Sequence, residues 1–213
     1  MPKPAIIIDL NGALLRSRPF DIAHKEWFRL MAELIKDYSI NEMAFQPDYF
    51  VHVQEIMKKY LGDINISVRN AFARNIYAMC VVESVKKWDL VDDFAELLKH
   101  LRKKFHIVLI TTAPAMAIEG ILEKIHCKDL FDIVIPSPME SHPSKHELIE
   151  LFIKKYGKPL FYIGQGDKDI VTFQNLGIKT IVVDWVTPSE HKGNFEAHNV
   201  EEVKNIVERF VME

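Results

Sequence analysis

The chain has 213 residues, of which 48% are hydrophobic and 27% charged, which is enough apolar content to bury a sizeable core and too much for a disordered polymer. Its formal charge is −3, and the Lys and Arg residues are interspersed with Asp and Glu rather than gathered into runs, so neither a nucleic-acid nor a membrane-surface footprint is expected. No apolar stretch reaches the roughly 18 residues of a membrane span, and the N-terminus passes almost directly into an apolar run without a secretory leader, so the expected location is the cytoplasm.

In chain order, the first element is AIIID (5 to 9), an apolar, β-branched run that stops at a carboxylate and turns over Asn11-Gly12. The next 70 or so residues, from about 15 to 88, hold no convincing strand. They read as helices over about 20 to 37, 48 to 61 and 66 to 87, with a break at Leu61-Gly62-Asp63. An all-helical connection of this length is too large for a simple crossover, and it predicts a lid over residues 16–87 on a core made of 1–15 and 88–213. Removing the lid is expected to leave a foldable core.

From there strands and helices alternate. Phe94, Leu97, Leu98 and Leu101 form a helical stripe, followed by the strand FHIVLI (105 to 110). Ile118, Ile121, Leu122 and Ile125 form a second stripe before FDIVI (131 to 135). LFYIG (160 to 164) and KTIVV (179 to 183) are the remaining strands, and Val203, Ile206, Val207 and Phe210 mark the last helix. The pattern predicts an α/β fold on a parallel sheet. Cys80 and Cys127 fall mid-helix by pattern, far apart and without paired-cysteine metal spacing, and read as buried thiols. Trp27, Trp88 and Trp185 read as packing residues.

Ligands of open parallel sheets bind at the carboxyl ends of the strands. Those ends carry Asp9, then Thr111-Thr112, then Ser141-His142-Pro143-Ser144-Lys145 after the third strand, and Gly164-Gln165-Gly166-Asp167-Lys168-Asp169 after the fourth. A carboxylate, a hydroxyl, an ammonium and a second carboxylate on one edge suit attack by Asp9 on an electrophile whose oxygens Thr111 and Lys145 hold, with Asp169 positioning the lysine or a cation. Asp169 also reads as a plain helix cap. Arg29, Arg69 and Arg74 are the cations of the helical segment that can meet an anionic substrate. His24, His106 and His142 show no metal-ligand spacing.

These stretches together resemble the haloacid dehalogenase superfamily along nearly the whole chain. IIIDLNGALL resembles its first motif, with Asp9 as nucleophile, and LITTAP its second, with Thr111 at the hydroxyl position. Lys145 is most like the third-motif lysine, and FYIGQGDKDIVTFQNLGIKTIVV resembles the fourth motif, with Asp169 as its last carboxylate. The resemblance implies a three-layer Rossmann-like core with strand order 5-4-1-2-3, a helical cap inserted after the first strand, and Mg²⁺-dependent phosphomonoester hydrolysis through an aspartyl-phosphate. It implies catalytic roles for Asp9, Asn11, Thr111 and Lys145, substrate contacts at Thr112 and Gly12, and a small phosphorylated or carboxylate substrate.

Two departures change the expected chemistry. Asn11 stands where the family's phosphatases carry the acid/base aspartate, and an amide cannot transfer that proton. Gln165 stands where the metal-binding aspartate belongs, leaving Asp9, Asp169 and a weak Asp167 as oxygen ligands for Mg²⁺. At the lysine position the usual Lys-Pro is His142-Pro143, with Lys145 two residues beyond the proline. Asp9, Asp169 and Lys145 alone carry the same single net negative charge as the family's full site with its cation. The expectation is therefore a weak or divergent phosphatase-type hydrolase. The alternatives are a catalytically silent ligand-binding or interaction protein and a metal-independent hydrolase of the dehalogenase kind.

Overall fold

A computed structural model describes residues 3–46, 49–186, 188, 190 and 192–210. Its centre is a six-stranded, all-parallel sheet of β1 (Ala5–Ile8), β2 (His106–Pro114), β3 (Ile133–Ser137), β4 (Phe161–Gly164), β5 (Lys179–Val183) and β6 (Phe195–Ala197), in the order β3-β2-β1-β4-β5-β6. The expected order 5-4-1-2-3 holds for the first five strands. β1 shows how the sequence specifies three layers: Ile6, Ile7 and Ile8 are all fully buried, with Ile6 and Ile8 on one face and Ile7 on the other.

On the first face pack α4 (Asp92–Leu101), α5 (Ala115–Lys124) and α8 (Val200–Arg209), through Phe94, Leu98, Ile118, Ile121, Val203 and Val207. On the second pack α6 (Lys145–Tyr156) and α7 (Asp167–Asn175), through Leu148, Ile149, Phe152, Ile170 and Phe173.

The helical connection is α1 (Arg18–Ile35), a 3₁₀ segment (Tyr38–Phe45), α2 (Tyr49–Leu61) and α3 (Ile66–Ser84). The expected start of the second helix at residue 48 lies outside the described residues. Trp27, Phe28 and Met31 of α1, Ile56 and Met57 of α2, and Ala73 of α3 form a cluster separate from the sheet. The insertion is nevertheless joined to the main core, because Phe20 and Ala23 of α1 and Ala78, Cys80 and Val81 of α3 belong to the cluster on the first sheet face.

Its two ends are tied together by Asp89, which is fully buried. The carboxylate accepts from Arg18 Nε (2.8 Å), Arg18 Nη2 (2.6 Å) and the Lys86 backbone N–H (2.8 Å).

Several expectations are corrected. β6 was not expected: its three residues are too short to show an apolar period, and it is held beside β5 by side chains, Thr180 N donating to Asn194 Oδ1 (2.9 Å) and Asn194 N to Thr180 Oγ1 (3.1 Å). A Cβ at Gly193 would lie 2.8 Å from the Phe195 carbonyl, so the approach requires glycine. The second strand runs on past residue 110 to Pro114, with a register shift between Ile110 and Pro114. The third insertion helix stops at Ser84, and Lys87–Asp89 form a 3₁₀ turn organised by the Asp89 carboxylate.

Cys127 lies past the end of α5 rather than within it, although both thiols are free and buried as expected. Trp88 is 69% exposed and packs little, whereas Trp27 is buried and Trp185 packs against Phe94 in a tilted ring pair. No helix among the described residues is long and apolar enough to cross a membrane.

Candidate active site

The carboxyl edge of β1, the central strand, opens into a cavity of about 590 Å³. Asp9 stands at its floor immediately after β1. Its backbone N–H still pairs with the Ile163 carbonyl of β4 (2.9 Å), so the sheet fixes the residue's position. Asp9 Oδ1 accepts from Leu10 N (3.0 Å) and from Lys145 Nζ (2.9 Å). Lys145 Nζ also donates to Asp169 Oδ2 at 2.5 Å, so one ammonium joins carboxylates from two different strand ends.

The local sequence explains this convergence. Ser144 and Glu147 form a reciprocal capping box at the start of α6, Glu147 N donating to Ser144 Oγ (3.2 Å) and Ser144 N to Glu147 Oε2 (2.6 Å). Lys145 is thereby placed in the first helical turn, where the helix dipole disfavours a cation. Two carboxylates offset that. Burial alone would lower the Lys145 ammonium, but Asp9 and Asp169 outweigh it and hold its pKa above the ordinary lysine value. Asp169, in the first turn of α7, is pushed up by burial and held back by Lys145.

Beneath them lies Tyr162 of β4, fully buried, its ring stacked on Phe173 at 3.9 Å and its hydroxyl donating to Asp169 Oδ2 (3.3 Å). Burial and then the Asp9 and Asp169 charges raise its pKa well above the usual phenol, keeping it a donor. Gly164 leaves room for this ring, since a Cβ there would collide with the Tyr162 phenol and lie 2.8 Å from Asp9 Cβ. Sequence reasoning missed Tyr162 as a site residue. The available signal was a hydroxyl in an otherwise apolar strand, two positions before a glycine.

Asn11, Thr111, Thr112, Gln165 and Asp167 all line the cavity. Thr111 Oγ1 accepts from Ala113 N at 3.1 Å, within the irregular last part of β2, while remaining on the cavity wall. Gly12 is not among the described lining residues. It is buried at φ +82°, and a side chain there would run into Gln165 Oε1, so its place is behind the wall, as the tight turn against which Gln165 packs.

Of the three arginines, Arg74 of α3 reaches the cavity; it is 6% exposed, donating from Nη1 to His142 Nδ1 (2.7 Å) and from Nη2 to the Thr112 carbonyl (2.9 Å). Arg29 is exposed and pairs with Glu26 at 2.8 Å, and neither it nor Arg69 is among the described lining residues. His142, which occupies the place of the usual Lys-Pro lysine, therefore serves Arg74, and Lys145 is the residue that reaches Asp9.

Mg²⁺ fits this donor set poorly. Lys145 engages one oxygen each of Asp9 (Oδ1) and Asp169 (Oδ2), and the cavity wall carries the neutral Gln165 amide rather than a further carboxylate. Among the described residues no group of three or more His, Cys, Asp or Glu side chains is arranged to hold an ion.

A buried nucleophile-type carboxylate at the end of the central strand of a parallel sheet, with its site covered by an inserted helical segment, defines a class of α/β fold. The sequence matches the family profile of haloacid dehalogenase-like hydrolases over residues 3–177, and the chain belongs to that family.

Solved structures agree in fold. A haloacid dehalogenase-like family hydrolase from Streptococcus pneumoniae is 17% identical, with a TM-score of 0.66 over 96% of this chain and 98% of that one. A candidate phosphoglycolate phosphatase from Lactobacillus delbrueckii subsp. bulgaricus is 18% identical, with a TM-score of 0.63 over 97% and 99%. A candidate HAD-hydrolase from Bacillus subtilis, bound to magnesium, is 14% identical, with a TM-score of 0.62 over 98% and 100%. At these identities the likeness speaks for the fold alone. No curated protein matches the sequence.

Proposed function

We propose that this chain is a slow, phosphatase-type hydrolase of small phosphomonoesters, with Asp9 as nucleophile and residues 16–87 as a lid over the 1–15 and 88–213 core. The observation that carries this reading is Lys145 Nζ at 2.9 Å from Asp9 and 2.5 Å from Asp169 at the floor of the cavity. The ammonium keeps Asp9 aimed, and with Arg74 it neutralises charge on the phosphoryl oxygens, to which Thr111 donates a hydrogen bond.

Asp9 attacks phosphorus, the ester P–O bond breaks, and an aspartyl-phosphate forms while the alkoxide leaves. Asn11 cannot supply the alkoxide's proton, so water does. A second water then cleaves the acyl-phosphate, releasing phosphate and regenerating Asp9. Both proton transfers lack a positioned carboxylic acid, which is the physical reason for a low rate. The free, buried Cys80 and Cys127 are in keeping with a reducing cytoplasm.

A second reading, metal-independent displacement by Asp9 at carbon, is favoured by the charge balance that Lys145 provides without a cation. Turnover of p-nitrophenyl phosphate and halide release from 2-haloacids, each for the parent and Asp9→Asn, decide between them. Slow phosphate release that Asp9→Asn abolishes is expected. Halide release alone overturns the first reading, and neither activity leaves a silent binding protein.

A further inference from the structure

We infer that the alcohol half of the substrate is apolar and ring-bearing, an arylalkyl phosphate rather than a sugar phosphate. This rests on the phosphomonoester reading and adds what the upper cavity says about the rest of the molecule. Asp9, Thr111, Lys145 and Asp169 lie at the floor, and the insertion adds Ser17, His24 and Arg74. The walls above are built by the insertion from Phe20, Trp27 and Phe28 of α1, Val53 of α2, and Ala73 and Tyr77 of α3.

The Trp27 indole N–H is already given to the Ala73 carbonyl (3.0 Å), so the indole offers a ligand only carbon. His24 and Tyr77 are stacked on each other, 5.2 Å between centroids, and Arg74 is engaged by Thr112 and His142. A sugar laid against Phe20, Trp27, Phe28, Val53 and Ala73 would bury hydroxyls against carbon, which costs their water partners. An aromatic ring would lose nothing and would bury its own apolar surface. A cavity of about 590 Å³ is also far larger than a phosphoryl group needs, which leaves room for the alcohol half of the substrate.

The test uses the full chain and three phosphonates, which bind without being hydrolysed: methylphosphonate, benzylphosphonate and 1-naphthylmethylphosphonate. Calorimetry should show affinity rising in that order, by at least about tenfold from first to last. Phe20→Ala should reduce this rise. In turnover, 1-naphthylmethyl phosphate and glucose 6-phosphate both release a primary alcohol, so their leaving groups are of the same kind. kcat/KM should favour the naphthylmethyl ester by at least about tenfold.

Equal affinity for the three phosphonates, or a preference for glucose 6-phosphate, overturns the inference while leaving the phosphatase reading standing. A rise in affinity without any turnover above Asp9→Asn does the reverse. Binding of none of the three overturns both.

Discussion

At the residue scale, the site is a balance of two carboxylates around one ammonium. Asp9 and Asp169 hold the Lys145 pKa above its ordinary value against burial, and Lys145 holds back the rise that burial imposes on Asp169. Lys145→Met keeps the volume and removes the charge, leaving two carboxylates buried together, and breaking such a pair costs about 3–5 kcal/mol at neutral pH. Asp169 already sits above its ordinary pKa, and losing Lys145 raises it further. The folded state then binds the proton more tightly than the unfolded one. The loss is therefore small near pH 4 and grows as pH rises toward 7. Urea unfolding of both proteins at pH 4.5 and 7 checks this, and a loss independent of pH would contradict it. Asp9, Lys145 and Asp169 were legible in the sequence because each punctuates the end of a strand or the start of a helix, whereas Thr111 lies within β2. Tyr162 was not, since a tyrosine within a buried run looks like packing until its hydroxyl is seen under Asp169.

At the scale of elements, the five longer strands were legible because buried parallel strands need continuous β-branched runs, and β6 was illegible because side-chain bonds from Thr180 and Asn194, rather than apolar pattern, place it. Also unreadable was the contact of α3 with the sheet's loops, which depends on orientation alone. Asn70 donates to the Glu140 carbonyl (3.0 Å), and Arg74 reaches His142 and Thr112. His142 Nδ1 accepts from a guanidinium, which requires a neutral ring, and burial followed by the Arg74 charge lowers its pKa. A lowered folded-state value means that this contact contributes fully above the ordinary histidine pKa and is lost as pH falls through the folded one. Stability should decline from pH 7 to pH 5. His24 adds to the decline, since burial lowers its pKa as well. His142→Asn, whose amide oxygen accepts at any pH, should make the slope shallower. Thermal melts across that range, compared for the two proteins, test it, and identical slopes would show that His142 does not titrate against Arg74.

At the scale of the whole molecule, the insertion was legible as helical and as an interruption of the β-α alternation, but not as part of the core. Hydrophobic period shows that a helix buries a face without saying against what. Phe20, Ala23, Ala78 and Val81 lie in the same cluster as β1, α4 and α5, while only the distal turns form a separate cluster. Excising residues 16–87 would strip one side of the first sheet face, so the shortened chain should fail to fold, contrary to the sequence-based expectation of a free-standing core. A cooperative unfolding transition in the shortened chain would show the core to be independent after all.

The central claim is that this chain holds its family's nucleophile and lysine, and that its chemistry is limited by Asn11 and Gln165. The most direct measurement is p-nitrophenyl phosphate turnover with Mg²⁺ present, for the parent, Asn11→Asp, Gln165→Asp, the double variant, and the double variant carrying Asp9→Asn. Restoring the acid is worth about 10²–10⁴-fold where the phosphate is properly held, and a carboxylate at 165 supplies the missing ligand for a cation. Each change alone should help little, the two together should raise the rate more than additively, and Asp9→Asn should abolish the gain. A parent already working at an ordinary phosphatase rate, or a double variant no faster than the parent, would contradict the claim.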